Sequence, residues 1–115
     1  MTRLTLRIDF DDRRQLGPGK VRLLELIAAH GSISAASRHM GMSYRRAWGL
    51  IEQLNAMFAE PLVEAQTGGA GGGKAALTPR GHQVVRGYRA IERGAVEAAA
   101  TEMEELRASL ASPGE

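Results

Sequence analysis

The sequence predicts a mainly α-helical fold with one small β-hairpin, and two stretches of the chain lead to that prediction. Residues 31–58 contain two periodic apolar segments separated by Gly41, which favours two short helices joined by a tight turn. Residues 62–77 place a Gly-rich segment between two short strand candidates, which favours a hairpin. Two helices followed by a hairpin are the order of a winged helix-turn-helix, here with a long C-terminal helix added.

Length and composition indicate one ordinary globular domain with a modest core. The chain has 115 residues, 43% of them hydrophobic and 24% charged. It has no cysteine, which excludes disulfides, a thiol nucleophile and thiolate metal ligands. No apolar run reaches the length of a signal peptide or a membrane span. We therefore expect a cytoplasmic protein that has no contact with a membrane.

The formal net charge of +2 conceals a strong asymmetry along the chain. Residues 1–93 carry a net charge of +6, whereas residues 94–115 carry −4. A basic body with an acidic tail suits a protein whose body meets a polyanion such as DNA. A helix with an acidic, solvent-facing surface would give the same negative tail. Charge alone therefore does not distinguish a DNA-binding protein from one with an ordinary acidic helix.

The N-terminal third predicts a strand, a turn and a helix. Apolar residues alternate with polar ones from Leu4 to Phe10, which is the pattern of a half-buried strand. Asp11 to Arg14 form a charged turn. Gly17 to Gly19 interrupt the chain before a helix from about Lys20 to His30.

The next two helices have clear end signals. Ser32 and Ser43 are suitable N-caps, and Gly41 can end the first helix in the left-handed conformation. The second helix has an apolar stripe for the core, formed by Ala47, Leu50, Ile51, Leu54 and Phe58. An ordinary helical hairpin with a solvated basic end is the alternative to a DNA-binding unit.

The segment after these helices predicts a wing. Leu62 to Glu64 and Ala75 to Leu77 are the strand candidates, and Lys74 can place a cation against phosphate. Residues 68–74 also satisfy most of a phosphate-binding P-loop pattern, but Ala75 replaces the required Ser or Thr and no helix follows directly. A flexible glycine linker is the plainer alternative to a wing.

A last helix is predicted from Pro79, capped by Thr78, to about Ala111. We take residues 1–78 as the DNA-binding unit and residues 79–115 as a long linker and dimerisation helix in the same fold. A helix of that length cannot bury its apolar positions against a small domain, so a second copy is the simplest partner. The predicted interface residues are Tyr88, Ile91, Ala95, Ala99, Met103, Leu106 and Leu110. A partly exposed helix that reflects the local helix propensity of the alanine run is the alternative.

The titratable residues suggest no catalytic or metal site. His30, His39 and His82 are far apart in sequence, and no pair has metal-ligand spacing. Asp11 and Asp12 stand beside two arginines, which favours a surface ion pair. We expect a protein that is not an enzyme and needs no cofactor.

Residues 3–95 resemble the N-terminal domain of the ModE-type molybdate-dependent transcriptional regulators, whose winged-helix plan is shared with LysR-type regulators. The resemblance rests on Gly31-Ser32-Ile33-Ser34, Gly41, Ser43-Tyr44, Ala47-Trp48, Asn55, Leu62-Val63-Glu64, the wing glycines at 68, 69 and 71–73, Leu77-Thr78, Gly81 and Tyr88. It implies a homodimer on a pseudo-palindromic operator that controls molybdate transport or molybdoenzyme genes. In the full-length family molybdate binds C-terminal oxyanion-binding domains, to which nothing here corresponds, so direct molybdate binding is not expected.

The predicted DNA contacts lie at the start of the helix that Ser32 caps, near the start of the helix that Ser43 caps, and in the wing. They are Ser32, Ser34, Ser43, Tyr44, Arg45, Arg46, Trp48 and Lys74. Arg45 or Arg46 can bind a guanine edge with two hydrogen bonds. Trp48 either packs on the DNA backbone or fills a gap between helices. A rival function is a protein-interaction module that docks through the long C-terminal helix.

Overall fold

The computed structural model describes residues 2–66 and 73–113. Along these residues the chain forms β1 (Ile8–Asp9), β2 (Gln15–Leu16), α1 (Pro18–His30), α2 (Ile33–Met40), α3 (Tyr44–Met57), β3 (Val63–Ala65), β4 (Ala75–Leu77), α4 (Pro79–Ala98) and α5 (Ala100–Ala108). β1 pairs antiparallel with β2, and β3 with β4. The mainly α prediction with a small hairpin is confirmed. No helix in the described ranges is long and apolar enough to span a membrane.

The N-terminal region is a tight hairpin, and here the sequence prediction was partly wrong. The alternating stretch forms a strand only at Ile8–Asp9, and Gln15–Leu16, where no strand was predicted, returns against it. The Asp11 carboxylate accepts hydrogen bonds from the backbone amides of Arg13 and Arg14, which folds the charged turn. The Arg14 side chain also binds this carboxylate, and these bonds lower the pKa of Asp11 to about 2.

The ends of the first three helices follow the local chemistry of the sequence. α1 begins at Pro18, two residues before the predicted start, because proline at the first helical position has no N–H to leave unpaired. Ser32 and Ser43 accept the amides of Ala35 and Arg46, as N-caps should. Gly31 and Gly41 both have φ of 68°, the left-handed conformation that glycine adopts cheaply.

The core is formed by α1, one side of α2 and α3, both wing strands and part of α4. Its fully buried side chains include Val21, Leu23, Leu24, Ile27, Ile51, Leu54, Leu62 and Tyr88. In α3 the buried stripe is Ala47, Ile51, Leu54 and Met57. Phe58, predicted to continue that stripe, lies just past the helix and packs edge-on against Phe10 at a centroid distance of 5.9 Å.

The backbone of residues 61–63 connects three elements of the fold. The side-chain oxygen of Asn55, in α3, accepts the amides of Leu62 and Val63 at 2.8 and 3.0 Å. The Thr78 amide donates to the Leu62 carbonyl, and the Thr78 hydroxyl donates to the Pro61 carbonyl. Gly81 packs so closely on the Leu62 carbonyl that a Cβ there would overlap it. The end of α3, the wing and the start of α4 are thereby held together.

The predicted long C-terminal helix is interrupted once and ends earlier than expected. α4 stops at Ala98, and α5 runs from Ala100 to Ala108, whereas one helix to about Ala111 was predicted. Ala99 leaves the helical conformation at φ −99° and ψ 3°, although it still donates to the Ala95 carbonyl and accepts from the Met103 amide. The interruption is therefore confined to one residue.

Tyr88 belongs to the core of its own protomer, which corrects its assignment to a dimer interface. Its side chain is 1% exposed, and its hydroxyl donates to the Leu6 carbonyl at 2.8 Å. The apolar pattern alone could not separate core contacts from partner contacts, because both select apolar residues at helical spacing. Tyr88 therefore fastens the N-terminal segment to α4.

Arg89 is the main ion-pairing residue between α1 and α4. Its guanidinium donates to both carboxylate oxygens of Glu25 at 2.8 and 3.0 Å and to Glu92 at 2.8 Å. The hydrogen bonds from Arg89 lower the pKa of Glu25, and those to Glu25 raise the pKa of Arg89. This pairing holds the two helices in one register.

We expect Gly81→Ala to destabilise the fold by about 2–3 kcal/mol, because the new methyl group would collide with backbone that cannot yield. The measurement is urea-induced unfolding followed by circular dichroism. Gly87→Ala is the matched control, since a Cβ there meets nothing within 4 Å and alanine favours the helix by about 0.5–1 kcal/mol. Equal stability of the two variants would contradict the close packing described here.

Candidate nucleic-acid interface

The first turn of α3 presents a cluster of exposed polar side chains. Ser43, Tyr44, Arg45 and Arg46 are all exposed. The Ser43 hydroxyl accepts the Arg46 amide at 3.1 Å, which orders the start of the helix. Within the described residues neither Arg45 nor Arg46 takes part in an ion pair. Both guanidinium groups can therefore bind an external anion or a base edge.

The two aromatic residues of α3 form one unit at this surface. Tyr44 and Trp48 pack edge to face, with ring centroids 6.2 Å apart and planes at 75°. Trp48 is half-buried and packs against the core, whereas Tyr44 is 47% exposed. Of the two roles considered for Trp48, the structure favours packing between elements. Tyr44 is then the aromatic ring that faces outward.

The predicted hydroxyl groups of Ser32 and Ser34 lie at the start of α2, and Arg38, in the last turn of the same helix, adds a cation that the sequence prediction missed. Ser32 is half-buried and accepts the Ala35 amide. Ser34 accepts a hydrogen bond from the exposed Arg38 side chain at 2.9 Å. Arg38 is four residues after Ser34 in the helix, and this spacing is the signal that could have predicted the pair.

The base of the wing is joined to the start of α2. Ser32 and Lys74 form an isolated antiparallel bridge, and the Ala75 amide donates to the Gly31 carbonyl at 3.0 Å. The Gln66 amide donates to the Lys74 carbonyl at 2.8 Å and closes the hairpin. The exposed Lys74 side chain thus starts beside the Ser32 cap. Residues 67–72, which hold most of the predicted wing glycines and of the P-loop-like pattern, lie outside the described residues.

Asn55 positions the wing relative to α3. Its amide group accepts from Leu62 and Val63 and donates to the Val63 carbonyl at 3.2 Å, so one side chain makes three hydrogen bonds to the incoming strand. The resemblance included Asn55, but its contacts could not be derived from the sequence because they join residues seven and eight positions apart across an irregular turn. These three hydrogen bonds fix the angle between α3 and the start of the wing.

Two histidines that are distant in sequence are neighbours in the structure. The rings of His30 and His39 stack at a centroid distance of 4.2 Å, with planes 10° apart. They stand at the C-terminal ends of α1 and α2. Among the described residues no group of three or more His, Asp or Glu side chains could hold a metal ion.

Comparison with known proteins identifies the helix-turn-helix. Residues 19–82 match the model of the bacterial regulatory helix-turn-helix proteins of the lysR family, a range that runs from α1 through the wing to the first turn of α4. The chain belongs to this family. The matched range includes every predicted DNA contact, from Ser32 to Lys74. The helix-turn-helix of this chain is therefore the one that defines the lysR family.

Individual relatives confirm the resemblance to ModE-type regulators. The chain is 44% identical to the Molybdenum-pterin-binding protein MopA of Rhodobacter capsulatus over 68% of its own length and 29% of that protein. It is 39% identical to the Molybdenum transport protein ModE of Azotobacter vinelandii, over 76% of this chain and 32% of the relative. The Transcriptional regulator ModE of Haemophilus influenzae is 36% identical, with 80% and 36% covered. The chain thus spans about a third of the length of these relatives.

We expect Asn55→Ala to destabilise the protein by about 2–3 kcal/mol, because two amides at the buried Leu62–Val63 turn lose their acceptor. The measurement is the urea midpoint, with Gln53→Ala as the control, since Gln53 is exposed on the same helix. A surface substitution of this kind changes stability by less than about 0.5 kcal/mol. The role assigned to Asn55 would be wrong if both variants unfolded at the same urea concentration.

Proposed function

We propose that this chain is a sequence-specific transcriptional regulator that binds DNA as a homodimer, with α3 in the major groove. The observation that supports this best is the exposed Arg45–Arg46 pair on the first turn of α3, in a lysR-family helix-turn-helix. Arginine side chains without an internal carboxylate partner are suited to donate two hydrogen bonds to a guanine edge. The N-terminal residues of a recognition helix are those that contact bases in this class of motif.

The remaining site residues position the protein on the duplex. The Ser43 and Ser32 hydroxyls stand at helix N-termini, where backbone amides and the helix dipole favour phosphate. Lys74, beside Ser32, supplies a cation at the base of the wing. Ser34 and Tyr44 add hydroxyl donors on the same elements. These contacts fix register and orientation without specifying sequence, and the wing lies along the backbone or in the minor groove.

The names of the relatives are the basis for proposing which genes this chain regulates. The names of these relatives refer to molybdenum transport and to molybdenum-pterin binding, and one of them is named a transcriptional regulator. We infer that this chain controls genes for molybdate uptake or for molybdoenzymes. The proposal assigns no molybdate site to the residues of this chain.

A second copy is proposed to cover the apolar side of α4 and α5. Ile91, Leu106 and Leu110 are 51%, 70% and 73% exposed in the protomer, and Ala95 and Ala99 lie between them along the chain. Exposed apolar side chains at this density on consecutive helices are typical of an interface. A dimer with two-fold symmetry would present two α3 helices to half-sites about 34 Å apart.

The first test measures binding of Arg46→Ala and Arg45→Ala to a duplex that the native protein selects from a random pool. We expect at least one variant to lose about 1–3 kcal/mol of binding on the selected duplex and much less on a scrambled one, because a base contact exists only in the correct sequence. Fluorescence anisotropy across a salt series gives both affinities. Arg86→Ala is the control, an exposed arginine outside the helix-turn-helix.

Equal losses on both duplexes for both variants would assign the two arginines to phosphates. Failure of the native protein to prefer any selected duplex would overturn the proposal and favour the interaction-module alternative.

The dimer is tested with Ile91→Asp, which places a charge in the proposed interface. We expect sedimentation equilibrium to show a dimer for the native chain and a largely monomeric variant, because burying an unpaired carboxylate is costly. Val96→Asp is the matched control, since Val96 is similarly exposed on α4 but on a different side. A monomeric native protein at micromolar concentration would contradict the dimer.

A further inference from the structure

A cleft of about 670 Å³ lies on the side of the molecule where the N-terminal segment, the start of α1, α4 and α5 meet. This volume is within the roughly 300–1,000 Å³ that is typical of small-molecule sites. None of the residues assigned to DNA contact lines it. The cleft therefore needs an explanation separate from the helix-turn-helix.

The rim of the cleft is rich in arginine. Arg3, Arg22 and Arg93 line it, are exposed, and form no ion pair within the described part of the chain. Arg89 also lines the cleft, but its charge is balanced by Glu25 and Glu92. Glu97 is the remaining carboxylate of the lining. Three guanidinium groups against one unengaged carboxylate make the cleft complementary to an anion.

The same cleft has an apolar part. Leu4 from the N-terminal segment, Val96 from α4 and Met103 from α5 line it together. Val96 is 42% exposed, and Leu4 and Met103 are partly exposed. Apolar side chains surrounded by cationic groups favour a molecule with both an apolar body and a negative charge, over a simple inorganic ion.

Arg93 and Val96, two of the α4 residues that line the cleft, point away from Ile91 of the proposed dimer face. At 100° per residue, Val96 stands about 140° and Arg93 about 160° round the helix from Ile91. Met103, predicted at the interface, lies on α5 beyond the break at Ala99 and lines the cleft. A second copy that contacts α4 at Ile91 therefore does not cover Arg93 or Val96 by that contact.

We propose that this cleft binds a small organic anion with an apolar body, such as a medium-chain carboxylate or an aromatic sulfonate. Arg22, Arg93 and Arg3 bind the anionic group, and Leu4, Val96 and Met103 contact the body. The site goes beyond the proposed function and does not depend on it. Because its lining comes from both sides of Ala99, an occupant contacts α4 and α5 at once and stabilises their relative position.

The probe is 8-anilinonaphthalene-1-sulfonate, which has an apolar body, one negative charge and fluorescence that rises on binding. We expect saturable binding at one site per protomer, weakened about tenfold by Arg93→Gln and by Arg22→Gln, each of which removes one charged contact. Val96→Asp should weaken it further, because it adds a negative charge beside the apolar part. Arg86→Gln, on the same helix but outside the lining, is the matched control and should bind as the native protein does.

Competition identifies the ligand class. Octanoate should displace the probe, and octanol, which has the same chain without the charge, should need at least about tenfold higher concentration. Hydrogen exchange should slow at the amides around Ala99 and Met103 when octanoate is added. Operator binding, measured on the same variants, shows separately whether the DNA-binding function is intact.

Four outcomes would overturn the proposal. Probe binding that is unchanged in Arg22→Gln, Arg93→Gln and Val96→Asp places the probe elsewhere. Equal displacement by octanol and octanoate removes the anion from the ligand class. Binding that is absent in the native protein but present in Ile91→Asp shows that a second copy fills the cleft, and absence in both shows that the cleft takes no such ligand.

Discussion

The backbone amide and the backbone carbonyl of Leu62 are both hydrogen-bonded, and the relative positions of α3, the wing and α4 depend on these two bonds. Asn55 binds its amide from the end of α3, and Thr78 binds its carbonyl from the start of α4. Gly81 leaves room for that carbonyl by having no side chain. One short irregular segment thus sets the angle between the helix proposed to enter the major groove, the wing beside it and the helix proposed to mediate dimerisation. Each contact satisfies a buried polar group, so none can be lost without a cost in free energy.

The sequence predicted well the features that are determined by neighbouring residues. The caps at Ser32, Ser43 and Thr78 and the left-handed glycines at 31 and 41 were all confirmed, because capping depends on one side chain and the next turn of backbone. The wing strands were placed within one residue. The lysR-family match confirms the helix-turn-helix that these local signals outlined.

The sequence predicted poorly whatever depends on contacts between distant residues. The stretch from Leu4 to Phe10 has a strand pattern, but pairing with Gln15–Leu16 limits the strand to two residues. Tyr88 has the spacing of an interface residue and is instead bonded to the Leu6 carbonyl, 82 positions away. The stacking of His30 on His39 has no signal in the sequence at all. In each case an apolar or aromatic residue has several possible partners, and only the tertiary structure selects among them.

The wing is closed at its base independently of its tip. The Gln66–Lys74 hydrogen bond, the Ser32–Lys74 bridge and the strand register from Val63↔Leu77 to Ala65↔Ala75 all lie outside residues 67–72. Because the entropy of closing a chain segment rises only slowly, by about 0.6 kcal/mol for each doubling of length, these contacts at the base tolerate a change in the number of residues between Gln66 and Lys74. Evolution can therefore vary the length of the chain between Gln66 and Lys74 while the base of the wing and the helices that hold it stay the same.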